Sequence, residues 1–431
     1  MIVAVPDMFG RLMGKRMTAS HFLKSARGEG VHGCSYLLTV NMEMDPLDGF
    51  KVANWEKGFG DFRMRPDWGT VRRLPWHTKT ALVLCDFARE DGGEVAEAPR
   101  AVLKAQVARL ARSGLSCRVA SELEFYMFEQ DYRRAWRAEY RGMTPSSDYR
   151  IDYHTLQPGR DENFFGAVRR LFPPAGVDVE CSKGEWGRGQ HEVNLAHEEP
   201  VRMADNHVVF KHGMREMAAR GGRSVTFMAK WSPDEAGSSC HIHMSLWRGK
   251  AALFRRPGGS RESRRFRGFL GGLLRYSREL GVFFAPTVNS YKRYQSASWA
   301  PTRMAWARDN RTTGFRAVGS GDSARIENRL PGADANPYLA FAAMLAAGMA
   351  GIKEGLDCGE PYRGNAYTDP RLPAVPRTLA EATGLLDRSR MARRAFGDAV
   401  VDFYVRHARL EAAAYDGAVT DWEKTRYFER I

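Results

Sequence analysis

Between residues 119 and 128 apolar and acidic positions alternate. Leu123, Phe125 and Met127 fall on one face of an extended chain; Glu122 and Glu124 fall on the other, with Tyr126 and Phe128 beyond them. A strand is predicted there, with the two carboxylates roughly 7 Å apart at Cα and aimed the same way. Like charges so placed on an otherwise apolar strand resist desolvation unless something compensates them. A solvated strand face is one account and a divalent cation is the other. The same two-residue alternation returns three times. Glu192 and Asn194 lie opposite Val193 and Leu195. His241, His243 and Ser245 lie opposite Ile242, Met244 and Leu246. Arg325, Glu327 and Arg329 lie opposite Ala324, Ile326 and Leu330. One such strand is a wet edge. Four predict a curved sheet or open barrel with a polar interior.

Elsewhere the period lengthens to that of helices. Pro99 opens an amphipathic helix running to about Arg112, and residues 162–171 and 200–221 read as two more. Residues 264–285 read as a helix ending near Gly281, and 336–352 as a long, Ala-rich buried one. Residues 378–431 are helical and amphipathic, with Leu385, Leu386, Phe396, Val400 and Phe403 as a core-packing stripe. The histidines of the 200–221 helix, His207 and His212, read as ordinary surface or capping polarity. Residues 1–95 read as short strands and turns, with 2–5, 36–40 and 81–85 β-rich; 226–230 is a further strand, and 131–161 is loop with short elements. At 431 residues the chain exceeds one ordinary domain. The boundary falls at the Pro99 helix, dividing residues 1–98 from 99–431.

Composition narrows the class. A hydrophobic fraction of 43% with ten tryptophans predicts a well-buried core. No apolar run is long enough to span a bilayer, and the first residues lack a basic stretch followed by an apolar one, so neither a membrane span nor a signal peptide is expected. The six cysteines are scattered and form no C-x-x-C pair, which suits a cytoplasmic protein with reduced thiols. The formal charge is +14, mostly from arginine. The arginines form pairs (Arg133-Arg134, Arg255-Arg256, Arg264-Arg265, Arg393-Arg394) rather than a tract, and no aromatic-interleaved basic patch is present. Anionic small-molecule ligands are expected, and a nucleic-acid partner is not.

Five carboxylates, Glu122, Glu124, Glu185, Glu192 and Glu327, together with His241, make a hard-cation set. Oxygen-rich ligation with one imidazole suits Mg²⁺ or Mn²⁺ better than structural zinc. His243, two residues on and on the same face as His241, favours a metal or phosphate role. Arg293, Arg311, Arg316, Arg325 and Arg329 can each grip a phosphate or carboxylate with two nitrogens. With no P-loop, cations plus arginines point to phosphoryl transfer by clamping, and no Ser or Cys stands in a nucleophile context.

Seven motifs in order resemble the glutamine synthetase family, in its bacterial class I-like branch. They are Ser121-Glu122-Leu-Glu124-Phe, Glu185…Gly189-Gln-His-Glu192, Gly237-Ser-Ser-Cys-His241-Ile-His243, Asn289-Ser-Tyr-Lys-Arg293, Asn310-Arg311…Arg316, Arg325-Ile-Glu327-Asn-Arg329 and Asn336-Pro-Tyr-Leu. The resemblance implies an α+β subunit with an N-terminal β-grasp domain and a catalytic domain whose curved antiparallel sheet forms an open funnel. It implies a homo-oligomer of stacked rings, a dodecamer, with each active site between one subunit's N-terminal domain and its neighbour's catalytic domain. It implies ATP-dependent activation of the glutamate γ-carboxyl to a γ-glutamyl phosphate, followed by attack of an amine. Carried over by motif, Glu124, Glu185 and Glu192 would bind one metal, and Glu122, His241 and Glu327 the other. Arg293 and Arg329 would hold the glutamate carboxylate and the acyl phosphate. Arg311, Arg316 and Arg325 would handle the ATP phosphates and the transferring group. Gly237 would lie beside the glutamate amino group, and His243, with Ser245 on its face, near the nucleotide.

The chain departs from ammonia-using members at three places. Trp299 stands where the family has the loop glutamate that closes over the ammonia site, and a tryptophan supplies no carboxylate but can pack on an alkyl amine or make a cation–π contact. Ala236 replaces the asparagine before the glycine of the substrate loop. The aspartate that helps deprotonate ammonium has no clean counterpart; Asp45 and Asp48 are near it, and Asp61 matches the downstream aspartate better. These departures resemble the γ-glutamyl-amine ligases, which join glutamate to polyamines, ethanolamine or other amines. A γ-glutamyl amide made from an amine larger than ammonia is therefore the expected product. A glutamine synthetase and a non-catalytic assembly protein of the family are the alternatives.

Overall fold

The computed structural model describes residues 1–27, 30–254 and 262–431; the Arg255-Arg256 pair lies outside them. The first layer is a six-stranded sheet of β1 (Ile2–Pro6), β2 (Leu12–Arg16), β3 (Val31–Cys34), β4 (Asp61–Pro66), β5 (Arg72–Arg73) and β6 (Ala81–Ala88). Its order is β2-β1-β6-β4-β3, with β5 beside β6. Every residue of β1 is buried, which its unbroken apolar run requires of a central strand. The predicted strand at 36–40 is instead a tight turn, Ser35–Leu38, closed by the Thr39 N–H on the Tyr36 carbonyl. Leu38 and Val40 still reach the core, so burial was foreseen correctly and the backbone was not.

The second sheet has nine strands among the described residues. They are β7 (Ser116–Phe128), β8 (Val179–Gly184), β9 (Gln190–Leu195), β10 (Ser224–Thr226), β11 (Cys240–Arg248), β12 (Ala251–Ala252), β13 (Trp306–Arg308), β14 (Phe315–Val318) and β15 (Arg325–Asn328). The order β13-β14-β15-β11-β7-β9-β8 makes the four alternating strands contiguous. All their mutual pairings are antiparallel, and the register sets His241 opposite Glu122, His243 opposite Glu327 and Glu124 opposite Glu192. The polar positions therefore form one field. The reverse face carries Leu123, Phe125, Val193, Ile242, Met244 and Ile326, none more than 1% exposed. Each such burial is worth about 1.5–3 kcal/mol, and a one-residue slip would forfeit all of them. That cost holds the carboxylates aimed away from the core.

Helix Pro200–Arg220 packs behind β7, and helix Pro337–Glu354 packs on helices Pro99–Arg112 and Arg264–Tyr276. His207 is fully buried here, with Nδ1 3.1 Å from Ser121 Oγ, so it is not surface polarity. His212 does lie nearer solvent, 3.3 Å from Glu216. The strand expected at 226–230 ends at Thr226. Beyond it the Ala229 carbonyl accepts from Ser238 and the Lys230 N–H donates to Asn289, so the backbone is committed to loops. The 264–285 helix stops at Tyr276 and a short turn, Gly281–Phe284, follows. Leu280, Val282, Phe283 and Phe284 are all buried, which no single helix face allows. Arg100, 3% exposed, joins the two layers: its guanidinium meets Asp67 at 2.7 Å and Asp86 at 2.6 Å from the first sheet, and Asp205 at 2.9 Å from the helix behind β7. No helix among the described residues is long and apolar enough to cross a membrane.

Candidate active site

The polar field of the second sheet gathers acids around one imidazole. His241 Nδ1 is 2.7 Å from Glu122 Oε1 and 3.8 Å from Glu327 Oε1. Ligand atoms of Glu122, His241 and Glu327 all lie within 4.8 Å of one another, and so do those of Glu124, Glu192 and His241. Because Nδ1 donates to a carboxylate, Nε2 carries the lone pair, and that atom is buried with no partner. Burial and the Arg329 charge lower the His241 pKa, keeping the ring neutral. An unpartnered imidazole nitrogen among crowded carboxylates fits a divalent cation.

The acids show the strain of crowding. Burial, with Glu185 adding repulsion, pushes Glu124 up to about 8. Burial, with Glu122 and Glu185, pushes Glu192 up to about 11. Burial also opposes the charge on Glu122, but His241 and His243 outweigh it and hold that carboxyl well below the usual range. Glu327 is likewise lowered, Arg329 and His241 prevailing over burial. Glu185 stands slightly apart, ion-paired to Lys183, which also reaches Asp152 at 3.4 Å.

The predicted arginines divide into four groups. Arg316 and Arg329 each contact Glu327 at 2.6 Å, one on each oxygen, and Arg316 also meets Asp309 at 3.0 Å. Arg293, 1% exposed, donates to Ser239 Oγ at 3.0 Å and to the Leu330 carbonyl. Its aliphatic stem passes so close to Gly237 that a Cβ there would fall 2.3 Å from Arg293 Cγ, which explains the glycine. The loop also reports to Glu124, whose Oε2 accepts the Ser239 N–H at 2.7 Å. Arg325 Nε donates to His243 Nδ1 at 3.3 Å, leaving the His243 Nε2 proton for Glu122 Oε2 at 3.3 Å. Glu122, His243, Ser245 and Arg325 line a cavity of about 930 Å³. Arg311 is not drawn in: it is exposed and shares no bond with the cluster, while its neighbour Asn310 holds the Gly364 carbonyl.

Trp299 is half-exposed in the left-handed region, φ 64°, and its carbonyl accepts from Arg329 at 3.3 Å. Its ring meets Trp186 edge to face, centroids 5.4 Å apart. The Trp186 backbone N–H donates to Glu185 Oε2 at 3.1 Å. The pair thus bridges the Glu185 side of the cluster and the Glu327–Arg329 side. Sequence reasoning missed Trp186, as it missed Lys183 and Asp309; the signal for Trp186 was its place directly after a proposed ligand. Ala236 contributes its carbonyl to Tyr126 Oη at 2.7 Å. None of the N-terminal aspartates meets the cluster within this chain. Asp45 is tied to Asn41, Asp48 accepts the Gly49 N–H, and Asp61 is exposed on β4 opposite Cys34.

Comparison with known proteins agrees with this geometry. The glutamine synthetase catalytic domain family matches residues 96–427. Gamma-glutamylethanolamide synthetase GlnA4 of Streptomyces coelicolor is 47% identical over 430 residues, covering 100% of this chain and 92% of that protein. Glutamate–isopropylamine ligase of a Pseudomonas species is 34% identical, covering 99% of this chain and 94% of the relative. A solved structure of a GmaS/ADP complex aligns with TM-score 0.86 at 26% identity, over 99% of this chain and 96% of that one.

Proposed function

The chain belongs to the glutamine synthetase family, and from that premise we propose that it is an ATP-dependent ligase joining the γ-carboxyl of glutamate to an amine that carries a carbon skeleton. The γ-phosphoryl of ATP passes to the γ-carboxylate, the amine nitrogen attacks the resulting acyl phosphate, and ADP, phosphate and a γ-glutamyl amide leave. The observation that carries the reading is the tryptophan rim formed by Trp186 and Trp299. An ammonium site needs an anionic cage to replace lost hydration. This rim offers apolar area instead, and about 55 Å² of it buried against an alkyl chain is worth roughly tenfold in affinity. Relatives named for ethanolamide and isopropylamine products support the same choice.

In this reading Glu122, His241 and Glu327 hold one divalent cation, Mg²⁺ or Mn²⁺, and Glu124, Glu185 and Glu192 a second. Bound there, the cations supply positive charge to ATP phosphates. Arg316 and Arg329, poised on Glu327, clamp the transferring group and acyl phosphate; Arg293, with Gly237, shapes the glutamate pocket. His243, Ser245 and Arg325 take the nucleotide in the 930 Å³ cavity, and Arg311, exposed and outside the cluster, is assigned to its phosphates by motif alone. Residues 1–98 act as a β-grasp domain that lends an aspartate, Asp61 or else Asp45 or Asp48, to a neighbouring subunit in a stacked-ring dodecamer. That these aspartates have no partner in the cluster of their own chain supports the assignment. Six unpaired cysteines suit the cytoplasm.

The test is ATP-dependent phosphate release with glutamate and a panel of ammonium, ethanolamine, isopropylamine and putrescine, with products identified by mass spectrometry. An alkylamine should exceed ammonium in kcat/KM by about tenfold or more. A clear win for ammonium makes the protein a glutamine synthetase, and no product with any amine overturns the ligase reading.

A further inference from the structure

The aromatic rim already holds a cation. The Arg150 guanidinium lies over the Trp186 ring, 4.5 Å from its centroid. Among the described residues no carboxylate comes within ion-pair distance of Arg150. The other cation nearby behaves differently: Lys183 Nζ sits 4.4 Å over the Tyr153 ring but is neutralised by Glu185 and Asp152. Arg150 is therefore a positive charge with no ion-pair partner among the described residues, at the aromatic end of the cluster. In the ligase reading above, an amine whose nitrogen reaches the acyl phosphate lays its carbon chain outward along these rings.

We propose that Arg150, seated on Trp186, is a charge filter that restricts the acceptor to monoamines with a neutral tail and rejects diamines and polyamines. The inference rests on the ligase reading above and narrows its second substrate. Its physics is simple. The face of Trp186 has one cation-binding site and Arg150 fills it. A second ammonium on the substrate's far end meets like charge at the protein surface, where repulsion exceeds that between the same charges in bulk water. A hydroxyl or methyl at the same point meets no such penalty and packs on the free edge of Trp299.

The test compares 4-aminobutan-1-ol with putrescine, which differ only in a terminal hydroxyl against a terminal ammonium. At neutral pH and low salt the unmodified enzyme should favour the amino alcohol in kcat/KM by about tenfold or more, mainly through KM. The preference should narrow at 0.5 M salt, where screening is strong. Arg150→Gln should cut the ratio several-fold, and Arg150→Glu should erase or invert it; Arg150 is exposed, so both variants should fold, and amino-alcohol turnover reports on that directly. A wild-type preference for putrescine, or a ratio unmoved in both variants, overturns the filter while leaving the ligase intact. Absence of product with either amine, and with every amine of the larger panel, overturns the ligase reading itself.

Discussion

His241 gives its Nδ1 proton to Glu122 across 2.7 Å and keeps Nε2 bare and buried between two sets of acids. An arrangement so unfavourable alone is explained by what it can bind. Adding Mg²⁺ or Mn²⁺ should raise the melting temperature, by the equivalent of about 2.7 kcal/mol at a hundred times the dissociation constant. Glu192→Gln keeps the side chain's shape without its charge. It should leave the metal-free protein within about 1 kcal/mol of the parent and shrink the metal-induced gain. A full gain in that variant, measured by scanning calorimetry, would remove Glu192 from the ligand set. Glu327→Ala should fold and abolish ATP turnover.

Much of this centre is legible in the amino-acid order because strands have a period of two. Glu122, Glu124, Glu192, His241 and Glu327 each stand one residue from a side chain that must be buried, so their direction follows from their neighbours' hydrophobicity. Pairing then needs only the register that keeps every apolar face inside. What the alternation does not reveal is which loops meet. Trp186 and Trp299 are 113 positions apart in chain number (299 less 186) and touch only because Glu185 and Arg329 flank the same cluster. His207 was misjudged for a related reason: the 3.6-residue period names a helix's inner face but not whether a polar partner such as Ser121 awaits it. The turn at residues 35–38 reads as a strand because a tight turn and a strand can both bury Leu38 and Val40.

Trp299 links specificity to backbone strain. A tryptophan at φ 64° costs about 1 kcal/mol that a glycine would not. Trp299→Gly should therefore hold or slightly raise thermal stability while reducing kcat/KM for alkylamines by about tenfold. Trp299→Glu should move preference toward ammonium. Alkylamine efficiency unchanged from the unmodified protein in both variants would show that the ring plays no part in acceptor choice.

Subunit exchange tests the shared site. Asp61→Ala and Glu327→Ala disable different halves of it in the proposed assembly. Mixed under conditions that scramble subunits, the two inactive proteins should recover part of the activity, because some interfaces then pair two intact halves. No recovery, with exchange verified by native mass spectrometry, means each chain works alone.

A further expectation concerns acid stability. Burial lowers His407 to about 4, against 6.5 for a free imidazole, the Leu38 carbonyl only partly opposing it. A histidine depressed in the folded state takes up its proton more readily when unfolded. Stability is thus unaffected above pH 6.5 and falls as pH drops from 6.5 toward 4, at up to about 1.4 kcal/mol per unit. His407→Gln should flatten that limb of the denaturation profile. An identical slope in the variant would assign the acid sensitivity elsewhere.

Arg100 constrains how this protein can be taken apart. One guanidinium serves Asp67, Asp86 and Asp205, so separating residues 1–98 from the remainder strips it of two of its three carboxylates and leaves only the Arg100–Asp205 pair. The two layers are thereby coupled through one buried side chain. A chimera that grafts the first ninety-eight residues of a relative onto this catalytic sheet inherits the requirement. It must arrive with acids at positions 67 and 86, whatever else its surface brings.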